Sequence, residues 1–344
     1  MKKDKLIGLM ALALLAVVAV FFPDLRTNFF QTEQQKAYDL EKVRLAVPRA
    51  MLITPAWIAV KKDFFLNEGL AVELTGEFSS GKEAFENMLA GHADISTVAT
   101  TPVVANSFSR QDYSIFVTFT TTYDGVKLVA RKDKGITTSK DLKGKVVGVV
   151  SGTISQIMID SLLAIEKILP HEVIFKGYAA QVLPEALVNG EVDAIAVWEP
   201  YAYNAKQLLS KNAVQIPTSK AYRMAINMAV MNDYAAKHPE ILKKVIRALS
   251  KTIDYIQAHP EDAQTIMAEN QQIKQVLVNE FWRGLNFEIS LDQLLLLTME
   301  NEANWIKKKR GVRDEKIPNF LDFIHYRDLE AVRPDAVTIV RKRP

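Results

Sequence analysis

Two segments of this 344-residue chain repeat one local design, and the repeat restricts the folds open to it. Leu89-Ala90-Gly91-His92-Ala93-Asp94-Ile95-Ser96-Thr97-Val98 and Val188-Asn189-Gly190-Glu191-Val192-Asp193-Ala194-Ile195-Ala196-Val197 each read as a helix end, a glycine, an aspartate and a short apolar strand. A glycine just past a helical pattern supplies the left-handed residue that stops a helix, so each copy predicts a helix-to-strand corner. Different chemistry follows the two strands: Ala99-Thr100-Thr101-Pro102 after the first, Trp198-Glu199-Pro200-Tyr201 after the second. Ligands of open α/β sheets bind outside the carboxyl ends of strands. Two such edges in one chain predict two lobes facing one cleft.

A chain of this length can hold two domains of ordinary size, each with its own core. Its formal net charge of +3, with Lys and Arg mixed evenly among Asp and Glu, leaves no basic footprint for a nucleic acid. Cys is absent, which excludes disulfides, thiolate metal sites and an acylated cysteine. At the amino end, Met1-Lys2-Lys3-Asp4-Lys5 precedes an apolar run of 17 residues from Leu6 to Phe22. A positive flank before a membrane-active segment is the pattern of an export signal. The run sits near the lower limit of about 17–25 residues for a spanning helix, and Val17-Val18-Ala19 is a poor small-residue cleavage site. Residues 1–22 are therefore expected to be a cleaved signal peptide or a retained anchor, the latter with residues 6–22 in the membrane. Residues 23–41 follow as a polar linker.

The remainder alternates between strand and helix. Lys42 to Val47 alternates charged and apolar residues like a half-buried strand. Thr54 and Pro55 can open a helix carrying Trp57, Ile58, Val60, Phe64 and Phe65. Leu70 to Leu74 reads as a strand, Gly81 to Leu89 as a helix, Ile115 to Thr121 and Val126 to Ala130 as extended segments broken at Tyr123-Asp124-Gly125. A strand at Val146 to Val150, a helix opened by Ser151-Gly152-Thr153, a strand near Val173 to Gly177 and a helix from Gln181 to Val188 complete a βαβα unit, which argues for a mostly parallel sheet. Met224 to Met231 is apolar and extended. From Pro239 onward the period is helical, with Ile241, Leu242, Val245, Ile246, Leu249, Ile253 and Ile256 on one face. Val276 to Trp305 is read as helical too, and Leu321 onward as a tail packed on the body.

Several of these segments carry a family likeness: Pro55-Ala56-Trp57-Ile58-Ala59-Val60-Lys61-Lys62-Asp63-Phe64-Phe65, Glu68-Gly69-Leu70-Ala71-Val72-Glu73-Leu74, Ala90-Gly91-His92-Ala93-Asp94, Asp141-Leu142-Lys143-Gly144-Lys145, Gly190-Glu191-Val192-Asp193-Ala194, Trp198-Glu199-Pro200-Tyr201 and Leu329-Glu330-Ala331-Val332-Arg333-Pro334. In their order and spacing they resemble the periplasmic substrate-binding proteins of ABC importers, in the branch that takes nitrate, sulfonates, taurine and thiamine-pyrimidine precursors. The resemblance implies an α/β, two-lobed periplasmic-binding-protein fold (type II) with two crossovers and a helical C-terminal segment. On that reading residues 42–124 begin lobe I, 125–222 form lobe II and 223–344 complete lobe I. It further implies a small polar organic solute, sulfonate- or taurine-like or aminopyrimidine-like, passed to an ABC permease in the inner membrane. No cofactor is expected, the setting is periplasmic or extracytoplasmic, and a monomer is the expected state.

The candidate ligand-binding residues come from the strand ends and the crossover. Ser151, Gly152 and Thr153 follow a buried strand and open a helix, so their hydroxyls and free amides can hold an anionic or dipolar group. N-capping by Ser151 or Thr153 accounts for the same pattern. The segment lacks G-x-x-x-x-G-K-[ST] and G-x-G-x-x-G, which disfavours nucleotide phosphate. Glu199 can pair with a ligand amine and Trp198 can stack on it, although a Glu before Pro can also serve the amides of a turn. Ser96, Thr97, Thr100 and Thr101 offer neutral hydrogen bonds or ordinary strand-edge and cap roles. Tyr123 and Asp124 lie at a crossover, as ligand contacts or hinge residues. Trp57 is a core or a site residue, and Arg49 an anion partner or solvated.

Two other function classes compete with this reading. An enzyme would need a nucleophile, base or metal constellation, and His92, His171, His238, His259 and His325 lack metal-ligand spacing. G-x-S-x-G is absent as well. A membrane-tethered solute-sensing ectodomain working with a partner protein stays open if the anchor is retained.

Overall fold

The computed structural model describes residues 40–218, 222–311 and 315–341. The expected amino-terminal signal, the linker up to residue 39 and residues 219–221, just before the second expected lobe boundary, lie outside the described residues. No helix among the described residues is long and apolar enough to cross a membrane.

Eleven strands are described: β1 (Glu41–Ala46), β2 (Leu70–Leu74), β3 (Ile95–Ala99), β4 (Tyr113–Thr122), β5 (Lys127–Arg131), β6 (Val146–Val149), β7 (Ile174–Gly177), β8 (Ala194–Val197), β9 (Ala213–Ile216), β10 (Met224–Met231) and β11 (Leu285–Ser290). They form two sheets, one ordered β11-β4-β10-β3-β1-β2 and one ordered β7-β6-β8-β5-β9. The expectation of a mostly parallel sheet needs correction. Only β2-β1-β3 and β7-β6-β8 run parallel, and the remaining pairs are antiparallel. The reason lies in the connections. A strand reached through a crossover helix re-enters the sheet at the same end as its predecessor, whereas β5 and β10 each arrive from the other sheet at the cleft end. Sheet membership changes between Thr122 and Lys127 and again between Ile216 and Met224.

Both glycines of the repeated corners take the left-handed conformation, φ +82° at Gly91 and +76° at Gly190. In each, the next amide reaches back to the helix: His92 N donates to Asn87 O at 3.1 Å, Glu191 N to Ala186 O at 3.0 Å. The aspartates then clip the neighbouring parallel strand. Asp94 N donates to Arg44 O and the Asp94 carboxylate accepts from Arg44 N, both at 2.8 Å. Asp193 N donates to Val146 O at 2.8 Å and its carboxylate accepts from Val146 N at 2.9 Å. The motif therefore sets strand register twice over.

Six helices position the cleft: α1 (Thr54–Lys61), α2 (Gly81–Leu89), α3 (Thr100–Ser107), α4 (Ile154–Ile165), α5 (Pro239–Ala258) and α6 (Gln293–Arg310). The helix expected to run from Thr54 through Phe65 breaks at Asp63, where φ is +58°, before a short turn at Phe64–Asn67. The apolar face of α5 is buried from Ile241 to Ile256 and packs on α1. The continuous helix read over Val276 to Trp305 is also corrected. It is a helix at Gln275–Trp282, strand β11 and then α6. Leu285, Phe287 and Ile289 alternate with polar residues, a two-residue period that pairs β11 with β4.

A cleft lined by helix amino ends from both sheets

The carboxyl edges of the two sheets meet at a cleft with about 490 Å³ of empty space, part of it open to solvent. One wall comes from the first sheet and its helices: Ala50, Leu52 and Ile53 after β1, Ser80 to Lys82 at the start of α2, Ala99 and Pro102 around the start of α3, and Met224 and Ile226 on β10. The other wall is Thr153 and Ile154 at the start of α4 and Trp198 after β8. Three helix amino ends, α2, α3 and α4, thus converge from both sides. The first amides of a helix have no intrahelical partner and carry partial positive charge, and such ends bind anions.

Side-chain caps take one first-turn amide in two of these helices: Ser80 Oγ accepts from Glu83 N in α2 and Thr153 Oγ1 from Ser155 N in α4, while α3, with Ala99 at its cap position, has no side-chain cap. A Cβ on Gly81 would stand 3.3 Å from Val98 Cα, so glycine lets α2 begin close against β3. Lys82 is the one ionisable side chain among the described residues lining the cleft, and it pairs with Glu86 at 3.1 Å. Trp198 is 6% exposed, and its Nε1 is buried without a hydrogen-bond partner among the described residues. A buried unpaired donor costs about 1–3 kcal/mol. The rest of the lining is aliphatic.

The residues singled out from sequence are distributed unevenly. Thr153 and Trp198 line the cleft, and Gly152 faces it, since a Cβ there would lie 3.7 Å from Lys82 Cε. Ser151 is exposed and turns its Oγ toward Gly177. Of the two roles open to Glu199 the structure shows the internal one: the side chain is buried, its carboxylate accepts from Tyr203 N at 2.7 Å, and burial raises its pKa. Thr100 and Thr101 likewise turn away, their hydroxyls donating to Glu302 Oε1 at 2.8 and 3.0 Å. Tyr222 OH donates to the same oxygen. Complete burial pushes Glu302 up to about 7 despite these three donors. Ser96 and Thr97 are buried in β3, Ser96 Oγ donating to Thr97 O at 3.4 Å. Trp57 Nε1 donates to Pro48 O, and Arg49 lies 3.5 Å from Glu77. Asp124 pairs with Lys127, and Tyr123 lines a small cavity beside Tyr222 and Met158 rather than the main cleft.

Sequence reasoning passed over Ala50, Leu52, Ile53, Ser80, Lys82, Met224 and Ile226. A signal existed for one group: Ser80-Gly81-Lys82-Glu83 is a Ser-x-x-Glu capping pattern ahead of an apolar helix face. The aliphatic lining had none, because aliphatic residues at strand ends look like any core.

The sequence profile of the NMT1/THI5-like family matches residues 51–263, more than half of the chain. The chain belongs to the NMT1/THI5-like family. A Bacillus subtilis (strain 168) protein named for the binding of aliphatic sulfonates is 24% identical over 291 residues, covering 80% of this chain and 85% of its own. The alkanesulfonate-binding protein SsuA from Xanthomonas axonopodis pv. citri, solved bound to MOPS, superposes with a TM-score of 0.72 at 14% identity, covering 83% of this chain and 98% of its own. The desulfurization enzyme DSZB superposes with a TM-score of 0.62 at 13% identity, covering 86% of this chain and 99% of its own. The two-lobed α/β fold expected from sequence is therefore the fold of this family member. Because that fold serves a binding protein and an enzyme alike, function has to be argued from the cleft.

Proposed function

We propose that this protein is the extracytoplasmic solute-binding component of an ABC importer, and that its solute is a small organic anion with an apolar body, an aliphatic sulfonate. The carrying observation is the cleft itself, in which three helix amino ends and Trp198, whose buried Nε1 has no hydrogen-bond partner among the described residues, meet a largely aliphatic lining that includes no carboxylate among the described residues. A sulfonate oxygen suits the amides and the indole N–H, and an alkyl chain suits Leu52, Ile53, Ile154 and Ile226. The names of the relatives support the same class. No acidic side chain lines the cleft among the described residues to pair with an ammonium group, so taurine and aminopyrimidines fit less well than a plain alkanesulfonate. Capture followed by release to a permease requires no chemistry, and no histidine or acid lines the cleft among the described residues.

A thermal-shift series with ethane-, butane- and hexanesulfonate, taurine, nitrate and an aminopyrimidine tests this. A solute at 100 times its dissociation constant stabilises the fold by about 2.7 kcal/mol. The alkanesulfonates are expected to raise the melting temperature and taurine to lag behind butanesulfonate. A preference for taurine or the aminopyrimidine, or no response to any sulfonate, overturns the reading.

A further inference from the structure

Helix α6 touches both lobes. On its own side, Glu302 gathers the hydroxyls of Thr100, Thr101 and Tyr222, the last beside the second crossover. One and two turns further along, the same helix reaches across. Trp305 Nε1 and Lys309 Nζ both donate to Asp160 Oδ2, at 3.0 and 2.9 Å. The Lys309 ammonium also lies 5.3 Å from the ring centre of Phe175 on β7, in the second sheet. Asp160 belongs to α4, the helix whose amino end lines the cleft. Its side chain is 11% exposed, and its Oδ1 is buried without a partner among the described residues. Charge-assisted hydrogen bonds of this kind are about twice as strong as neutral ones.

We propose that Asp160, Trp305 and Lys309 form a clasp that holds the lobes in their closed arrangement and so sets solute affinity from outside the cleft, with Asp160 as a positioning residue. The proposal rests on the solute-capture reading above. The clasp is engaged while the cleft is drawn together, with Gly152 close to Lys82 across it. Thr153 and Ile154 at one end of α4 line the cleft, and Asp160 lies less than two turns along. Solute and clasp therefore act on one rigid helix. Apparent affinity falls in proportion to the fraction of protein in the competent arrangement. Removing the clasp lowers that fraction and leaves the binding surface untouched.

The absence of native cysteine permits a clean test. The full chain in detergent micelles, carrying Glu73→Cys in one lobe and Lys211→Cys in the other, both exposed positions, is labelled for energy transfer and titrated with butane-1-sulfonate. Asp160→Ala is expected to shift the solute-free protein toward the open arrangement. It should raise the dissociation constant about tenfold. Asp160→Asn keeps an acceptor for Trp305 and should recover part of the loss. Lys309→Ala, at a half-exposed position, should weaken binding in the same direction and serves if Asp160→Ala does not fold. Unchanged energy transfer and affinity in these variants overturn the clasp. Tighter binding also overturns it, since the contact would then belong to the open arrangement. If the unmodified protein ignores butane-1-sulfonate, the alkanesulfonate reading fails, while energy transfer in the solute-free variants still decides the clasp.

Discussion

The corners at Gly91 to Asp94 and Gly190 to Asp193 share one construction, yet the segments that follow them are put to opposite uses. Both corners stop a helix on a left-handed glycine and clip the adjacent parallel strand with an aspartate. Past β3, the chain enters α3 and two threonine hydroxyls are drawn inward to Glu302. Past β8, Trp198 stays at the cleft with its N–H unpaired, and only the next residue, Glu199, folds back onto Tyr203. A strand's carboxyl edge is thus a place rather than a function. In the first lobe α6 packs on α3 and its Glu302 takes the threonine hydroxyls, while Ala99 and Pro102 line the cleft; in the second Trp198 lines the same cleft and no acid lines it among the described residues.

The largest effect that tests this contrast is expected from pH. Burial raises Glu302 from its ordinary 4.5 to about 7, so the folded state holds a proton that the unfolded chain releases. The stability this contributes is fully present below about pH 4.5 and is lost as pH rises to about 7, on the order of 3 kcal/mol. Denaturation midpoints of Glu302→Gln should lose that slope. An unchanged slope would mean that the knot at α3 does not hold a protonated acid.

The shared construction is tested next. Asp94→Ala and Asp193→Ala each leave a strand amide without its acceptor and should cost about 1–3 kcal/mol in urea unfolding. Asp94 should cost more, because Arg44 Nη2 also donates to it at 2.7 Å. A negligible cost at either site would break the equivalence. At the open edge, Trp198→Phe keeps the ring and removes the unpaired donor. It should leave the solute-free fold as stable or more stable and weaken alkanesulfonate binding by about tenfold, near 1.4 kcal/mol, by calorimetry. Retained affinity would remove the indole from the site. Gly91→Ala and Gly190→Ala should each cost about 1–2 kcal/mol for a side chain in the left-handed region, and the smallest effect is the difference between the two lobes, which should be close to zero.

The sequence by itself determined the repeated corners, the strand ends that meet at the cleft, the α5 face and the family, because each rests on short-range periodicity or on a residue type that few conformations accept. Gly91 and Gly190 could be placed without knowing what surrounds them. The antiparallel entry of β5 and β10, the breaking of Val276 to Trp305 by β11, and the fate of individual polar side chains were decided by tertiary structure alone. Thr100, Thr101 and Glu199 carry the same groups as ligand-binding residues, but their partners, Glu302 and the Tyr203 amide, become neighbours only when the chain has folded. Ala50, Leu52, Ile53 and Ile226 look like core in the sequence and line the cleft in the structure. Burial depends on which surfaces meet across hundreds of residues, and no local pattern encodes that.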